Sequence, residues 1–227
     1  MVEFYKGHPK HLLAVDCVIF GYQEEELKLL LYPRGFEPVK GKWSLMGGFV
    51  QEPESCEEAA ARVLAECTGL ENIYLEQVSA FSDPAREPQV RVVSVVYYSL
   101  IRIHEQDQAL VSSHGAMWWP LTRLPEVIFD HGEMIRKALL RLQQKAGYSL
   151  AGIELLPEKF TLLQLRKLYE AIYQRNFDAG NFRKKILSLE LLRKTNEKNF
   201  SESRKGAYYY TVDSSLTDVE TERIVKF

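Results

Sequence analysis

The sequence holds few of the features that mark secreted, metal-binding or membrane proteins. Three of its 227 residues are cysteines, Cys17, Cys56 and Cys67, and no two of them form a Cys-x-x-Cys pair. This odd, widely spaced set predicts neither a disulfide framework nor a zinc site. The segment MVEFYKGHPK lacks the apolar core of a signal peptide, and the longest apolar runs are too short to cross a membrane. We therefore expect a cytoplasmic protein with reduced thiols, no metal site and no membrane segment.

The charge is unevenly distributed along the chain. The composition, 46% hydrophobic and 26% charged, is that of an ordinary globular protein, and the length suits one large domain or two small ones. Residues 1–157 carry 15 basic and 21 acidic side chains, whereas residues 159–205 carry 12 basic and only 5 acidic ones. An acidic body followed by a basic segment predicts a module that meets phosphate backbones.

Residues 1–147 are predicted to form an α+β domain. Alternating and apolar patterns predict strands over 11–20, 27–32, 41–50, 73–80 and 90–103. Ser55 and Glu58 form a capping box that begins a helix, and Gly69 is suited to end it. A second helix is predicted over residues 129–147, ended by Gly147. Strands around one central helix with a closing helix predict an α/β/α sandwich.

Residues 148–227 are predicted to form a winged helix-turn-helix domain. Thr161 and Gln164 form another capping box before an amphipathic helix, and Asp178 is a plausible N-cap for a second, shorter helix. Residues 189–200 and 205–212 then read as two strands joined by a polar, basic loop. Helix, turn, helix and β-ribbon is the order of elements in a winged helix.

The polar side chains of this second domain are candidates for contact with double-stranded DNA. Asn181, Arg183 and Lys184 would face base edges, because Asn pairs with adenine and Arg with guanine. The predicted DNA-binding set is completed by phosphate contacts and turn residues: Gln174, Arg175, Lys185, Lys198, Arg204 and Lys205. Two alternatives remain open, namely a solvated cationic face and a winged helix that docks onto another protein.

A degenerate catalytic motif lies in the first domain. From Gly48 the chain reads GFVQEPESCEEAAARVLAECTGL, which has the spacing of a Nudix box. That motif holds divalent cations with carboxylates spaced along one helix face. Val63 and Cys67 stand where two of these carboxylates belong, so the face is apolar and only Glu66 remains. We expect no catalytic residues and no enzyme activity; residual activity from Glu57, Glu58 or Glu87 is the minor alternative.

The chain resembles the Nudix-related transcriptional regulators of the NrtR and AraR type. Three stretches carry the resemblance: WSLMGGFV with the box, LEQVSAFSDPAREPQVRVVSVVYY, and LLPEKFTLLQLRKLYEAI followed by NFRKKI. The resemblance implies a homodimer that binds a palindromic operator and releases it when a small molecule occupies the Nudix-like domain. It favours the sugar-responsive branch that contains the arabinose repressor of Bacteroidetes.

The effector is expected to be a sugar rather than ADP-ribose. The loop at 85–89 lacks the second arginine of ADP-ribose-type relatives, which favours a less charged ligand such as a pentose. The predicted effector-binding residues are Lys42, Trp43, Glu54, Arg86 and Glu87. The sequence thus predicts a repressor of pentose or arabinose utilisation genes that needs no cofactor. The alternatives are a Nudix hydrolase of nucleoside-diphosphate sugars or ADP-ribose with an accessory C-terminal domain, and a structural adaptor.

Overall fold

The computed structural model describes residues 6–148, 150–201 and 204–213. Its strands and helices, in chain order, are β1 Leu12–Gln23, β2 Glu26–Pro33, β3 Trp43–Ser44, β4 Met46–Phe49, α1 Cys56–Thr68, β5 Glu76–Phe81, β6 Val92–Arg102, α2 Glu105–Ser113, β7 Met117–Pro120, α3 His131–Tyr148, β8 Phe160–Thr161, α4 Leu162–Tyr173, α5 Ala179–Leu187, β9 Leu192–Asn199 and β10 Ala207–Val212. Short 3₁₀ turns lie at Leu121–Arg123 and Ile153–Leu155. The predicted α+β class is confirmed.

A seven-stranded sheet forms the framework of the N-terminal part. Its strand order is β3-β2-β1-β6-β5, with β4 paired to β1 and β7 paired to β2. The central strand β1 is almost fully buried, and Val15, Cys17 and Val18 each have no exposed surface. A strand that is covered on both sides must be apolar at successive positions, which explains why its sequence reads as a continuous apolar run.

The helix ends follow the local signals of the sequence. Ser55 accepts a hydrogen bond from the backbone N–H of Glu58, and the Glu58 carboxylate accepts one from the N–H of Ser55. Gly69 ends α1 at φ 74°, a left-handed conformation that glycine adopts without a steric penalty. Thr161 and Gln164 make the same reciprocal pair of bonds at the start of α4.

Three short elements, α2, β7 and β8, were absent from the sequence prediction, and one helix has different ends. Helix α2 buries Val111 alone, so it has no apolar period by which a helix is recognised. Strand β8 is two residues long and is defined by its pairing with Tyr209 and Tyr210. Helix α3 runs from His131 to Tyr148, so it starts two residues later and ends one residue later than predicted.

A helix-turn-helix and a three-stranded ribbon form the C-terminal part. Leu165, Leu168 and Tyr169 of α4 are fully buried, and α5 buries Phe182 and Ile186. The rings of Tyr169 and Phe182 meet edge to face at 5.9 Å. Strand β10 pairs with both β8 and β9 in antiparallel fashion. The order helix, turn, helix and ribbon is the predicted winged helix.

Contacts divide the described chain into two compact units. The first comprises residues 6–20, Leu29–Ser99 and His104–Ala138, and the second comprises Gly21–Lys28, Leu100–Ile103 and the described residues from 139 to 213. Helix α3 therefore contributes its first half to one unit and its second half to the other. Within the described residues, no helix is both long and apolar enough to span a membrane.

Candidate functional sites

The degenerate box helix packs its apolar face against the glycines of β4. Val63 is 2% exposed, and a Cβ placed on Gly48 would lie 2.6 Å from its Cγ2 atom. Ala59, one turn earlier, is also buried. Among the described residues, no group of three or more His, Cys, Asp or Glu side chains could hold a metal ion. The donor set therefore does not fit the divalent-cation site that a Nudix box normally builds.

The acidic residues that remain in the box hold its arginine. Arg62 donates to both carboxylate oxygens of Glu54, at 2.6 and 2.9 Å, and to Glu66 at 3.2 Å. A further bond from Arg62 reaches the carbonyl oxygen of Phe49. The bonds from Arg62, with one from the Gln51 backbone, lower the pKa of Glu54 to about 2. Glu54 thus ties the loop before α1 to the helix.

A cavity of about 340 Å³ opens beside this helix, at the low end of the range typical of small-molecule sites. It is lined by strand ends, by the glycines of β4 and by the segment before α3. Three phenylalanines, Phe36, Phe49 and Phe129, supply flat apolar walls. The charged lining residues are Asp16, Arg34, Arg86 and Glu87, and His131 adds an imidazole.

Asp16 and His131 form the buried polar floor of the cavity. Asp16 is 6% exposed and accepts a hydrogen bond from Ser94 Oγ at 2.6 Å. Gly47 permits this packing, because a Cβ there would lie 2.4 Å from Asp16 Oδ1. His131 Nδ1 accepts the backbone N–H of Leu45 at 3.1 Å, so the ring proton sits on Nε2, 3.8 Å from Asp16. Burial is the main reason that the pKa of His131 is lowered, and the imidazole is neutral.

Both arginines of the cavity are already paired with carboxylates. Arg86 donates from Nε and Nη2 to the two oxygens of Asp130, each at 2.9 Å. Arg34 Nη2 lies 3.3 Å from Glu87 Oε1. The Arg34 guanidinium also lies 4.1 Å from the ring centre of Phe36 and 5.2 Å from that of Phe129. These contacts hold two cations in place at one cavity.

Of the five predicted effector-binding residues, Arg86 and Glu87 line this cavity. Lys42 is exposed, and its carbonyl accepts the backbone N–H of Arg34. Trp43 packs edge to face on Trp119 at 5.4 Å, and Glu54 is held by its arginine; neither belongs to the cavity lining. Four further cavity residues were not predicted: Asp16, Arg34, Phe129 and His131. They come from three distant parts of the chain, and no local spacing links them.

The predicted DNA-binding residues lie on the helix-turn-helix and the wing. Asn181, Arg183 and Lys184 are exposed on α5, whose N-terminus is capped by Asp178 accepting the N–H of Asn181 at 2.9 Å. The turn holds Gln174 in a left-handed conformation, and Arg175 next to it stacks over Phe177. A groove of about 330 Å³ is lined by Arg175, Asn181 and Lys185, among others.

The wing adds a cationic cluster around one tyrosine. Lys194 Nζ lies 3.5 Å and Lys198 Nζ 4.6 Å from the ring centre of Tyr208, which is 37% exposed. Arg204 and Lys205 are exposed beside the ribbon. Lys194 was not in the predicted set, although its spacing of four residues from Lys198 places both on one side of a strand. The wing thus presents a cationic surface of its own.

Comparison with known proteins agrees with both halves of this description. Residues 10–138 match the model of the NUDIX domain, and residues 152–212 match that of the NrtR DNA-binding winged helix domain. The chain is therefore a Nudix domain joined to a winged helix domain. It belongs to the Nudix family and, within it, to the proteins that carry an NrtR-type winged helix.

Three relatives illustrate this membership. The ADPR responsive transcriptional repressor NtrR of Acinetobacter baylyi is 31% identical over 214 residues, which are 92% of this chain and 86% of that protein. The crystal structure of Shewanella oneidensis NrtR complexed with a 27mer DNA matches with a TM-score of 0.74 and 33% identity, over 94% of this chain and 98% of that one. The NUDIX domain of that protein complexed with ADP ribose matches 63% of this chain and 99% of that one, with 34% identity and a TM-score of 0.53. The ADP-ribose pyrophosphatase of Methanocaldococcus jannaschii is 36% identical over 129 residues, 57% of this chain and 72% of that protein.

None of these relatives is described as sugar-responsive, so the expected membership of the sugar-responsive branch finds no support. The reason for expecting a sugar was the single arginine in the loop at 85–89. In the structure a second arginine, Arg34, reaches the same cavity from the end of β2. The loop read alone could not reveal this cation, because it lies about fifty positions earlier in the chain.

Proposed function

We propose that this protein is an effector-responsive DNA-binding transcriptional repressor whose Nudix domain senses an ADP-ribose-type ligand. One observation carries the proposal: the Nudix cavity keeps two arginines and aromatic walls, whereas the carboxylate face of its box helix is replaced by apolar packing. Arginine suits phosphate recognition, and flat apolar walls suit a nucleobase or sugar face. The Acinetobacter relative is described as ADPR responsive, and the Shewanella Nudix domain was crystallised with ADP ribose.

The DNA-binding part of the proposal rests on the surface of the winged helix. Exposed amide and cationic groups on α5 and the lysine–tyrosine cluster of the wing combine base-reading and phosphate-contacting side chains. The Shewanella structure that matches nearly the whole chain is a complex with a 27mer DNA. We further propose a homodimer on a palindromic operator, because helix-turn-helix dimers place two recognition helices about one turn of DNA apart.

Titration calorimetry of the full chain tests the effector class. ADP-ribose should bind, whereas free arabinose and other pentoses should bind at least about tenfold more weakly, because a neutral sugar offers no anionic group to either guanidinium. Ribose serves as a control for the sugar ring alone. Tighter binding of a neutral pentose than of ADP-ribose would contradict the proposed effector and restore the sugar-responsive hypothesis.

Hydrolysis is the second candidate activity, because the Methanocaldococcus relative is an ADP-ribose pyrophosphatase. We propose that this chain binds without cleaving, since Val63 and Cys67 remove two carboxylates of the box. The test is release of AMP from ADP-ribose with Mg²⁺ or Mn²⁺ present. Multiple turnovers that are lost in Glu66→Gln would establish the enzyme instead. Turnover that persists in that variant would have to be lost in Glu57→Gln, Glu58→Gln or Glu87→Gln to belong to this protein, and otherwise would point to a contaminant.

A further inference from the structure

The charges around the Nudix cavity disfavour an anionic ligand while its arginines remain paired with carboxylates. Two guanidinium groups, Arg34 and Arg86, face three carboxylates, Asp16, Glu87 and Asp130. His131 adds no positive charge, because burial lowers its pKa and its Nδ1 lone pair accepts a backbone N–H. This inference rests on the proposed function, in which the ligand is ADP-ribose, a dianion. For that ligand to bind an arginine, at least one of the arginine–carboxylate ion pairs must break.

The three carboxylates differ in how easily they can leave. The side chain of Asp16 is 8% exposed and is held by Ser94, and that of Glu87 is 14% exposed. The side chain of Asp130 is 23% exposed and lies in the wall of a separate open groove of about 500 Å³, which Arg86 also lines. A carboxylate that turns into this groove is hydrated again. Its displacement from Arg86 therefore carries no desolvation penalty that would oppose the exchange.

We propose that Asp130 is an exchangeable counter-ion: the anionic group of the effector takes Arg86, and Asp130 turns out into the groove. The Arg86–Asp130 pair is bidentate, a geometry in which a phosphate can replace a carboxylate on the same guanidinium edge. Arg86 Nη1 has no hydrogen-bond partner among the described residues, so an approaching phosphate can bind there before the carboxylate leaves.

The position of Asp130 gives this exchange a consequence for regulation. Asp130 directly precedes α3, and Phe129 before it has φ 47°, an uncommon backbone conformation for a bulky residue. Strain of this kind is typical of switch segments. The second half of α3 belongs to the winged-helix unit, where Gln143 donates to the carbonyl oxygen of Ile172 and its own carbonyl accepts the hydroxyl of Tyr173. Exchange at Asp130 therefore acts on the first residues of the helix that enters the DNA-binding unit.

Calorimetric titration of the full-length protein with three probes tests this proposal: ADP-ribose, inorganic diphosphate and adenosine. In Asp130→Asn both anions should bind about tenfold tighter than in the wild type, about 1.4 kcal/mol, because the competing charge is gone. Adenosine, which has no phosphate, should be unaffected. Glu133→Gln is the matched control, since Glu133 lines the same groove but pairs with Arg136. Should Asp130→Asn fail to fold, Asp130→Ser gives the same test.

The outcomes separate this inference from the proposed function. If Asp130→Asn binds both anions equally or more weakly, Asp130 positions Arg86 rather than competing for it, and the exchange is refuted. If ADP-ribose binds neither protein while diphosphate still binds the variant tighter, the proposed effector fails and the exchange stands. If neither anion binds either protein, both are refuted. A matching gain in Glu133→Gln would show a general charge effect and would also refute the specific exchange.

Discussion

Replacing Gly48 with alanine should destabilise the first unit, and part of that cost should disappear when Val63 is shortened as well. A Cβ on Gly48 would lie 2.6 Å from Val63 Cγ2 and 3.7 Å from Cγ1, while Val63 is 2% exposed and has no room to withdraw. Overpacking of this kind costs about 1–3 kcal/mol. Val63→Ala alone loses two buried methyl groups and should cost about 2 kcal/mol. In the double variant the new methyl group fills part of the vacated space, so we expect the combined cost to fall about 1–2 kcal/mol below the sum.

Equilibrium denaturation in urea measures this coupling. The three tryptophans, Trp43, Trp118 and Trp119, all lie in the first unit, so their fluorescence reports on it rather than on the winged helix. Gly35→Ala is the control, because its Cβ would meet no atom within 4 Å; we expect a change within about 0.5 kcal/mol. Strictly additive costs at positions 48 and 63 would refute the reasoning that apolar packing has replaced the metal-binding face.

The remaining predictions concern the DNA surface, the box and the cavity. Lys184→Ala should weaken binding to every duplex by a similar factor and should reduce the slope of log affinity against log salt concentration by about one. Lys40→Ala, in the first unit, is the control and should change neither the affinity nor the slope. An unchanged slope for Lys184→Ala would exclude a phosphate contact. The pKa of Glu54 is lowered to about 2 in the folded state, so its contribution to stability is present above about pH 4.5 and is lost as the pH falls through about 2. The difference in free energy of unfolding between wild type and Glu54→Gln, measured by urea denaturation, should therefore decrease as the pH falls from about 4.5 to about 2. A constant difference would contradict the Glu54–Arg62 ion pair. Arg34→Ala should lower the affinity for ADP-ribose at least about tenfold, measured by calorimetry, and should change the affinity for adenosine by less than about threefold. An equal loss of affinity for both ligands would indicate collapse of the cavity.

The sequence was most informative where the physics is local. Capping boxes at Ser55 and Thr161 and the glycine stop at Gly69 act within four residues, so the helix starts could be predicted closely. The winged helix followed in the same way, from a capped amphipathic helix and an N-cap at Asp178. Helix α2 was missed because it is held in place by a single buried valine, and a pattern needs several apolar positions.

The cavity could not be predicted in the same way, because its polar groups meet only through the tertiary fold. Asp16, Arg34, Arg86 and His131 come from β1, the end of β2, a loop and the start of α3. Reading one loop in isolation suggested a single arginine and hence a neutral sugar. The tertiary arrangement supplies a second cation, and that difference changes the class of ligand that the cavity suits.

A time course of DNA occupancy tests the account as a whole. The protein is bound to a labelled duplex that it has itself selected from random sequences, then mixed with excess ADP-ribose and Mg²⁺, and fluorescence anisotropy is recorded for several hours. The account predicts a fall in anisotropy that persists, because the ligand is bound and not consumed. Anisotropy that falls and then recovers as ADP-ribose is cleaved, or that never responds to ADP-ribose, would contradict it.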